Sequence, residues 1–360
     1  MTKTIRTIAA ACVCLSFILS CNSGNKENMD ELLKKSLTSE EAAEIKQDQV
    51  LTTIAFGSCN KQDAPQPLWE PILANKPDLW LWLGDNIYGD THDMQEMKAM
   101  YLQQKYQTDY QKLYKSIPVL GIWDDHDYGI NDGGKNFSKK RESQDLMFDF
   151  LDAPQDLPER KTEGTYQSYT IGPEGKQVKF ILLDTRYFRD TLTDSSVPGK
   201  RYEVDPEGDM LGEAQWQWLE NELSESTAQL HIIASSIQVI AEDHGFEKWA
   251  NFSSSRERLF QLITSTQAEG VIFLSGDRHI GEISKINIAG VPYPVYDITS
   301  SGLTHAYEAA DEENRHREGE LVATLNFGVL KIKWEPNLQV TASIRGKENQ
   351  VYQQAELQFP

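Results

Sequence analysis

Four apolar, strand-like runs of this chain are each followed by polar residues of types that bind metal ions. They are Cys59 after the first run, Asp85 and Tyr88 after the second, Asp125 and His126 after the third, and Asp277 and His279 after a late run. One polar strand end is ordinary, because carboxylates cap helices and turns. Four such ends are hard to assign to capping alone, so the pattern favours a metal site.

The donor types indicate which metal ions these residues would hold. The thiolate of Cys59 and the phenolate of Tyr88 are strongly donating anions that suit a ferric ion better than Mg²⁺ or Ca²⁺. Asp85 is the best candidate to bridge two ions, and Asp125 fits a hard second cation. The Asp-x-His pair after the late run would complete the metal shell. A set of Cys, His and Asp also suits Zn²⁺, so that alternative stays open.

Two neighbouring metal ions would meet both needs of phosphate-ester hydrolysis, which are a nucleophilic oxygen and neutralisation of a crowded anion. His126 is the candidate acid for the leaving alkoxide, and Asp127 is expected to orient its ring. The alternative is a loop histidine in a local salt bridge. Arg186 is a candidate clamp for two phosphate oxygens, with an ion pair to Asp184 or Asp190 as an equally weighted alternative.

The elements that must position these residues alternate between strand and helix. We predict strands at 51–58, 79–83, 119–123, 166–171, 178–183, 231–237 and 271–274, and helices at 67–73, 94–116, 143–151, 211–223 and 255–263. After Gly281 the pattern changes to strands alone, at 282–288, 295–298, 324–334 and 338–345. Alternation predicts an α/β fold with helices outside a parallel or mixed sheet, whose ligands bind at the carboxyl ends of the strands.

Composition and charge restrict the classes of function. The chain has 360 residues, of which 39% are hydrophobic and 25% charged, and this excludes wholesale disorder. Its 55 acidic and 35 basic side chains give a formal net charge of −20. This argues against a general binder of nucleic acids or anionic membranes, because phosphate affinity rests largely on Lys and Arg. We therefore expect no nucleic-acid groove, whereas a metal site for a small phosphate is compatible with the acidic surplus.

The N-terminus has the layout of an export signal. Lys3 and Arg6 precede a short apolar run at 8–20, which is typical of a secretory signal and short for a transmembrane helix. The end of this run, Ile18-Leu19-Ser20-Cys21, resembles a bacterial lipobox, which implies cleavage after residue 20 and lipidation of Cys21. The alternative is an ordinary signal that is cleaved nearby. We predict a signal at 1–20, a polar tether at 21–50 with one short helix around 40–47, and a domain at 51–360.

The strand-end motifs occur in a recognisable order along the chain. They are Phe56-Gly57-Ser58-Cys59, Gly84-Asp85-Asn86-Ile87-Tyr88, Trp123-Asp124-Asp125-His126-Asp127, Asp184-Thr185-Arg186 and Gly276-Asp277-Arg278-His279. This set resembles the PhoD-like alkaline phosphatases of the calcineurin-like metallophosphoesterase superfamily, over about residues 51–300. The resemblance implies an α/β/β/α sandwich, with a mixed sheet and an antiparallel C-terminal part, and an Fe³⁺ ion with Ca²⁺ as its companion. Zn²⁺ or Mn²⁺ is the alternative.

The motifs also depart from the general superfamily pattern. Cys59 stands where the first group of ligands is expected, Asp125 replaces an Asn, and Asp277 replaces the first His of the last motif. The superfamily's lone His is not obvious, since the corresponding strand end is Ser235-Ser236-Ile237-Gln238. PhoD-like enzymes depart from the pattern in the same way.

Together these features predict an exported, lipid-anchored hydrolase on the periplasmic or cell-surface face of a membrane. Its substrate would be a small phosphate ester, as for an alkaline phosphatase or phosphodiesterase, and a metal-bound hydroxide would attack phosphorus. The alternatives are a nucleotidase, a lipid head-group diesterase, or a non-catalytic metal-binding surface lipoprotein.

Overall fold

A computed structural model describes residues 31–39 and 41–359. The predicted signal peptide and Cys21 lie outside the described residues. Within the described part, no helix is both long enough and apolar enough to span a membrane.

Two six-stranded sheets form the centre of the domain. The strands are β1 (Thr53–Gly57), β2 (Leu79–Leu83), β3 (Val119–Ile122), β4 (Gln167–Ile171), β5 (Val178–Leu182), β6 (Leu230–Ala234), β7 (Val271–Ser275), β8 (Gly281–Ile286), β9 (Val295–Ser300), β10 (Phe327–Lys333), β11 (Gln339–Arg345) and β12 (Val351–Leu357). The first sheet has the order β12-β11-β10-β1-β2-β3 and the second β4-β5-β6-β7-β9-β8. Both sheets are mixed, with β1 to β3 parallel in one and β5, β6, β7 and β9 parallel in the other.

Helices cover the outer faces of the two sheets. They are α1 (Trp69–Ala74), α2 (Met94–Lys105), α3 (Thr108–Tyr114), α4 (Asp125–Tyr128), α5 (Lys140–Phe150), α6 (Gly212–Ser224) and α7 (Ser253–Thr266). One apolar core lies between the sheets, a second lies under α1, α2, α3 and α5, and a third lies under α6 and α7. The predicted α/β/β/α sandwich is confirmed.

The strand β2 shows why an uninterrupted apolar run is required. Its sequence is Leu-Trp-Leu-Trp-Leu, and every residue is buried. The leucines face the core between the sheets, whereas Trp80 and Trp82 face the core under the helices. Successive side chains of a strand point to opposite faces, so a strand buried on both faces must be apolar at every position.

Three elements differ from the sequence prediction. The helix predicted over 94–116 is two helices, because the side chain of Gln107 accepts hydrogen bonds from the amides of Asp109 and Tyr110 and begins α3. The strand β12 was not predicted, since its exposed, mostly polar sequence carries little apolar alternation. Residues 41–49 contain no helix.

Part of the segment predicted as a tether lies against the domain. Leu37 is buried in the core under the helices, and the amide of Ser39 donates to Asp152 at 2.6 Å. Farther along, Ile45 packs on the core between the sheets, and the carbonyl of Gln47 accepts from the amide of Gly172 at 2.7 Å. The polar composition of 22–50 conceals these few apolar anchors.

Candidate metal centre

The carboxyl ends of strands from both sheets meet at one edge of the sandwich. Cys59 follows β1 of the first sheet, and its Sγ lies 3.0 Å from the hydroxyl of Ser301, which follows β9 of the second sheet. Gly276, after β7, also comes close to β1, since a Cβ there would lie 2.6 Å from Ser58 Oγ. The residues that the sequence places after separate strands are therefore neighbours in space.

Sharp turns at the strand ends point the candidate ligands toward one another. Cys59, Asp85, Asp277 and His279 all have left-handed backbone conformations, with φ of 60°, 49°, 65° and 56°. Such conformations cost about 1–3 kcal/mol for residues other than Gly, and somewhat less for Asp. Four of them at one site indicate that the fold tolerates strain in order to place these side chains.

Asp127 joins the loops that follow β2 and β3. Its carboxylate accepts hydrogen bonds from the amides of Asp124 at 2.6 Å, Asp85 at 3.2 Å and Asn86 at 3.1 Å, and from the Asn86 side chain at 2.6 Å. Gly84 permits the close approach, since its φ is +94° and a Cβ would lie 2.5 Å from that of Asp124. Asp127 thus holds two ligand-bearing loops together.

Three overlapping groups of side chains have the composition and spacing of metal sites. They are Cys59 with Asp85 and His279, Asp85 with Asp125 and His126, and Asp124 with Asp125 and Asp277, and within each group the donor atoms lie within 4.8 Å of one another. Asp85 belongs to two groups and Asp125 to two. This sharing is the arrangement that a bridged pair of ions requires.

The charges of the site fit bound cations. Asp124 Oδ2 and Asp125 Oδ1 are buried and accept no hydrogen bond. Burial, followed by the negative charge of a neighbouring aspartate, raises the pKa of Asp85 and of Asp277 well above the usual range. Clustered, buried carboxylates with an unsatisfied oxygen are costly unless a cation compensates them. Both unsatisfied oxygens belong to the metal-capable groups, so the residues present fit a metal site.

Tyr88 brings a phenol to the first of these groups. Its hydroxyl lies 3.3 Å from Asp85 Oδ2 and 2.9 Å from His279 Nε2. Cys59 Sγ lies 3.3 Å from the same Asp85 oxygen. Burial, then nearby negative charge, raises the pKa of the Cys59 thiol and of the Tyr88 phenol. Without a bound cation, the thiol of Cys59 and the phenol of Tyr88 are therefore protonated. A bound cation would favour their anionic forms.

Two residues of this cluster were missed by the sequence prediction. His305 Nε2 lies 3.0 Å from the Tyr88 hydroxyl, and its ring centroid is 4.3 Å from that of His279. Ser301 accepts the amide hydrogen bond of His279 at 2.7 Å, besides contacting Cys59. The available signal was a fifth strand end with polar residues, since Ser301, Thr304 and His305 follow β9.

Asp124 is a further candidate ligand that the sequence left without a role. It is fully buried, belongs to the group with Asp125 and Asp277, and accepts a hydrogen bond from Ser236 Oγ at 2.5 Å. Burial raises the pKa of Asp124 to about 7, although the charge of Arg186 opposes this. The end of β6, which lacks the superfamily's lone His, therefore supplies the hydroxyl of Ser236 to a candidate ligand.

His126 lies at the exposed side of the cluster. Its Nδ1 is 2.7 Å from Asp90 Oδ2, so Asp90 and not Asp127 orients the ring, and the prediction for Asp127 is wrong. Burial lowers the pKa of His126, but the hydrogen bond to Asp90 and the charges of Asp85 and Asp125 outweigh this and raise it to about 10. His126 also contributes to a metal-capable group, so its role as an acid stays a prediction.

Arg186 does not lie where a phosphate clamp would. Its side chain is fully buried, Nε donates to Asp124 at 2.6 Å, and Nη1 donates to Glu247 at 2.7 Å. The ion-pair alternative is correct in kind, with Asp124 and Glu247 as partners, and a clamp would need this side chain to leave those pairs. Asp184 instead accepts the amide of Arg186 at 2.9 Å. The charge of Arg186 favours the anionic form of Asp124 and so opposes the effect of burial.

A cavity of about 320 Å³ opens onto the candidate ligands. Asp125, His126, Asp277 and His279 form part of its lining. The other residues at its wall and mouth are Asn131, Asp132, Arg201, Phe246, Glu247, Arg278 and Tyr307. A small anionic group would thus reach the cluster from the side on which His126 lies.

The chain is similar in sequence and in fold to known phosphatases. Alkaline phosphatase D of Bacillus subtilis is 25% identical over 277 residues, which cover 66% of this chain and 47% of that protein. The chain thus spans about half the length of this curated relative. Among solved structures, PhoD matches with a TM-score of 0.66 and 19% identity, over 88% of this chain and 74% of that chain.

Two further structures share the fold alone. Purple acid phosphatase PPD1 from yellow lupin has a TM-score of 0.59 and 12% identity, over 88% of this chain and 55% of its own. A dimetal phosphatase from Danio rerio has a TM-score of 0.53 and 13% identity, over 87% of this chain and all of its own. The model of the PhoD-like phosphatase family matches residues 54–326, and the chain therefore belongs to that family.

Proposed function

We propose that the protein is a metal-dependent phosphoric ester hydrolase of the alkaline phosphatase or phosphodiesterase type. The observation that carries the proposal is the sharing of Asp85 and Asp125 among three metal-capable groups, each of which has at least one member that lines the same cavity. Family membership supports the same activity. A purely structural role would leave the buried, unsatisfied oxygens of Asp124 and Asp125 without a function.

The donor set supports two ions of different character. The sulfur of Cys59 and the phenol oxygen of Tyr88 favour Fe³⁺, whereas the aspartates Asp124, Asp125 and Asp277 favour a hard ion such as Ca²⁺. Zn²⁺ or Mn²⁺ is the alternative. When bound, such ions neutralise the phosphate oxygens and make water nucleophilic at neutral pH.

The chain itself supplies proton transfer and positioning. His126 lines the cavity and is held by Asp90, so it is placed to give a proton to the leaving oxygen. Arg201 also lines the cavity and is half exposed, with a guanidinium nitrogen 2.7 Å from Asp132. We assign to Arg201 the contact with phosphate oxygens that the sequence had suggested for Arg186.

We further propose that the protein is exported and anchored to a membrane. The support for this is the sequence of the first 21 residues. The lipobox-like Ile18-Leu19-Ser20-Cys21 supports attachment of Cys21 to a lipid on the periplasmic or cell-surface face of a membrane. Replacement Cys21→Ser should release a soluble and active protein. Quantitative partition of that variant with membranes would contradict the anchor.

Metal analysis paired with an ester assay tests the activity. The purified protein should contain two metal equivalents and hydrolyse p-nitrophenyl phosphate or bis(p-nitrophenyl) phosphate. If iron is present, the thiolate or phenolate should give a visible charge-transfer band that shifts in Cys59→Ser. A colourless, fully active zinc protein would contradict the assignment of iron but not the proposed activity. A protein that binds two metals and hydrolyses neither ester would overturn the proposed activity.

A further inference from the structure

The mouth of the cavity carries two aromatic rings beside the candidate ligands. Phe246 and Tyr307 both line the cavity, and their ring centroids are 6.4 Å apart at an interplanar angle of 78°. Phe246 has no polar side-chain atom, and the ring of Tyr307 carries only its hydroxyl. The rings therefore form an apolar wall next to a site that is otherwise strongly polar.

The two rings differ in how far they are available to a ligand. Arg278 stacks on the ring of Phe246, with its guanidinium carbon 3.8 Å from the ring centroid, and Arg278 also contacts Glu312. Phe246 is thus half-buried and already occupied on one face. Tyr307 is 42% exposed, so part of its ring is open to solvent.

The backbone of Tyr307 is fixed relative to the candidate metal ligands. Its amide donates to the carbonyl of His279 at 2.8 Å, and its own carbonyl accepts from the amide of Ala310 at 3.0 Å. The chain from His305, which contacts Tyr88, to Tyr307 is therefore attached to the same turn that presents His279. An exposed ring that is held beside a phosphate site is preorganised to receive a planar group.

We infer that Tyr307 forms a stacking subsite for the organic group of the substrate, and that the substrate class is phosphate esters of aromatic or heterocyclic groups, such as nucleoside phosphates. This inference rests on the proposed hydrolase function. Arg201, at the same mouth, adds a cation on the path of the anionic ester. Stacking of a base on an aromatic ring changes binding by about five- to 150-fold, and an exposed ring lies near the lower end of that range.

A matched pair of substrates isolates the contribution of the ring. Adenosine 5′-monophosphate and ribose 5-phosphate have the same type of primary alkoxide leaving group, and they differ in the planar base. The quantity to compare is the ratio of their kcat/KM values. Tyr307→Ala should lower this ratio at least about fivefold, mainly through KM for the nucleotide. Tyr307→Phe, which keeps the ring, should leave the ratio of kcat/KM values near that of the wild type.

Two controls exclude indirect effects of the substitution. Tyr106→Ala removes a tyrosine of similar exposure, 38%, that does not line the cavity, and it should leave the ratio unchanged. Metal content should be measured in all variants, and equal values would show that the substitution does not act through the metal ions.

The possible outcomes distinguish the subsite from the activity. An unchanged ratio in a metal-loaded, active Tyr307→Ala protein would overturn the subsite and leave the hydrolase function intact. If only p-nitrophenyl esters turn over, the inhibition constants of the same pair supply the ratio. If the protein hydrolyses no ester, the proposed function fails, and calorimetric binding of the pair to the wild type and Tyr307→Ala still tests the subsite. Loss of preference in Tyr307→Phe as well would also overturn stacking by the ring.

Discussion

His126 Nδ1 lies 2.7 Å from Asp90 Oδ2, and the partner of His126 is thus a residue from the loop after β2. The ring of His126 also packs against Tyr88, with centroids 4.2 Å apart. The acid candidate is therefore held between a carboxylate that orients it and a side chain of the metal cluster. Its other nitrogen is left for the cavity that His126 lines.

Replacement His126→Ala should slow esters with poor leaving groups more than activated aryl esters. An alkoxide needs nearly a full proton in the transition state, whereas p-nitrophenolate is already stable, and a positioned acid contributes about 10²–10⁴-fold. The measurement is the dependence of kcat/KM on leaving-group pKa, with metal content determined in parallel. His92→Ala is the control, because His92 is exposed and packs on Phe137. Equal losses on all esters, or loss of metal, would make His126 a ligand or a positioning residue.

Replacement Asp85→Ala should abolish activity and lower the content of both metals. Asp85 belongs to two of the metal-capable groups, so its loss removes a donor from each. Most of the fold should remain, since metal-free Asp85 is a buried carboxyl among like charges. Circular dichroism and elemental analysis would check this, with Asp145→Asn as the exposed control. Wild-type metal content in an active Asp85→Ala protein would remove Asp85 from the site.

Replacement Arg186→Met should destabilise the fold by about 3–5 kcal/mol, because it removes the buried cation that pairs with Asp124 and leaves Glu247 with Arg189 alone. Denaturant unfolding would measure this change. Arg258→Ala, which breaks an exposed pair with Glu213, should cost at most about 1 kcal/mol. If Arg186→Met is as stable as the wild type and only its KM rises, the result would contradict this prediction and support Arg186 as a phosphate clamp.

Replacement Arg201→Met should change substrate binding and leave stability nearly unchanged, which is the opposite of the effect expected for Arg186→Met. Arg201 is half exposed at the cavity mouth, so stability should change little, while KM for phosphate esters should rise about fivefold. The effect should diminish at high salt, since exposed charges are screened. An unchanged KM at low ionic strength would show that Arg201 does not meet the substrate.

The stability of the fold should fall as the pH drops below about 6.5, in part through His231. Burial lowers the pKa of His231, although its hydrogen bond to the carbonyl of Glu269 at 2.6 Å opposes this. The unfolded chain therefore binds a proton more readily than the folded chain, and acid favours unfolding. Urea unfolding between pH 7.5 and 5 should show a steeper decline for the wild type than for His231→Gln. Parallel curves for the two proteins would exclude His231 as a contributor.

Local sequence determined most of the framework of this protein. The strand β2 was predicted with its observed ends, because a run buried on both faces is apolar at every position and this one is bounded by Asp78 and Gly84. The strand ends Cys59, Asp85, Asp125 and Asp277 were also identifiable, since their residue types break apolar runs at the edge where parallel strands present their ligands. These signals depend only on residues that are neighbours in sequence, so a single sequence is enough to identify them.

Partners that are distant in sequence were decided by the tertiary structure alone. Arg186 and Asp124 are 62 residues apart, and a guanidinium has the same local sequence signature whether it meets a phosphate or a buried carboxylate. His305 reaches Tyr88 across 217 residues, and Asp90, rather than the adjacent Asp127, faces His126. Side-chain pairing depends on how the two sheets bring their strand ends together, and that packing is a property of the whole core and of no single segment.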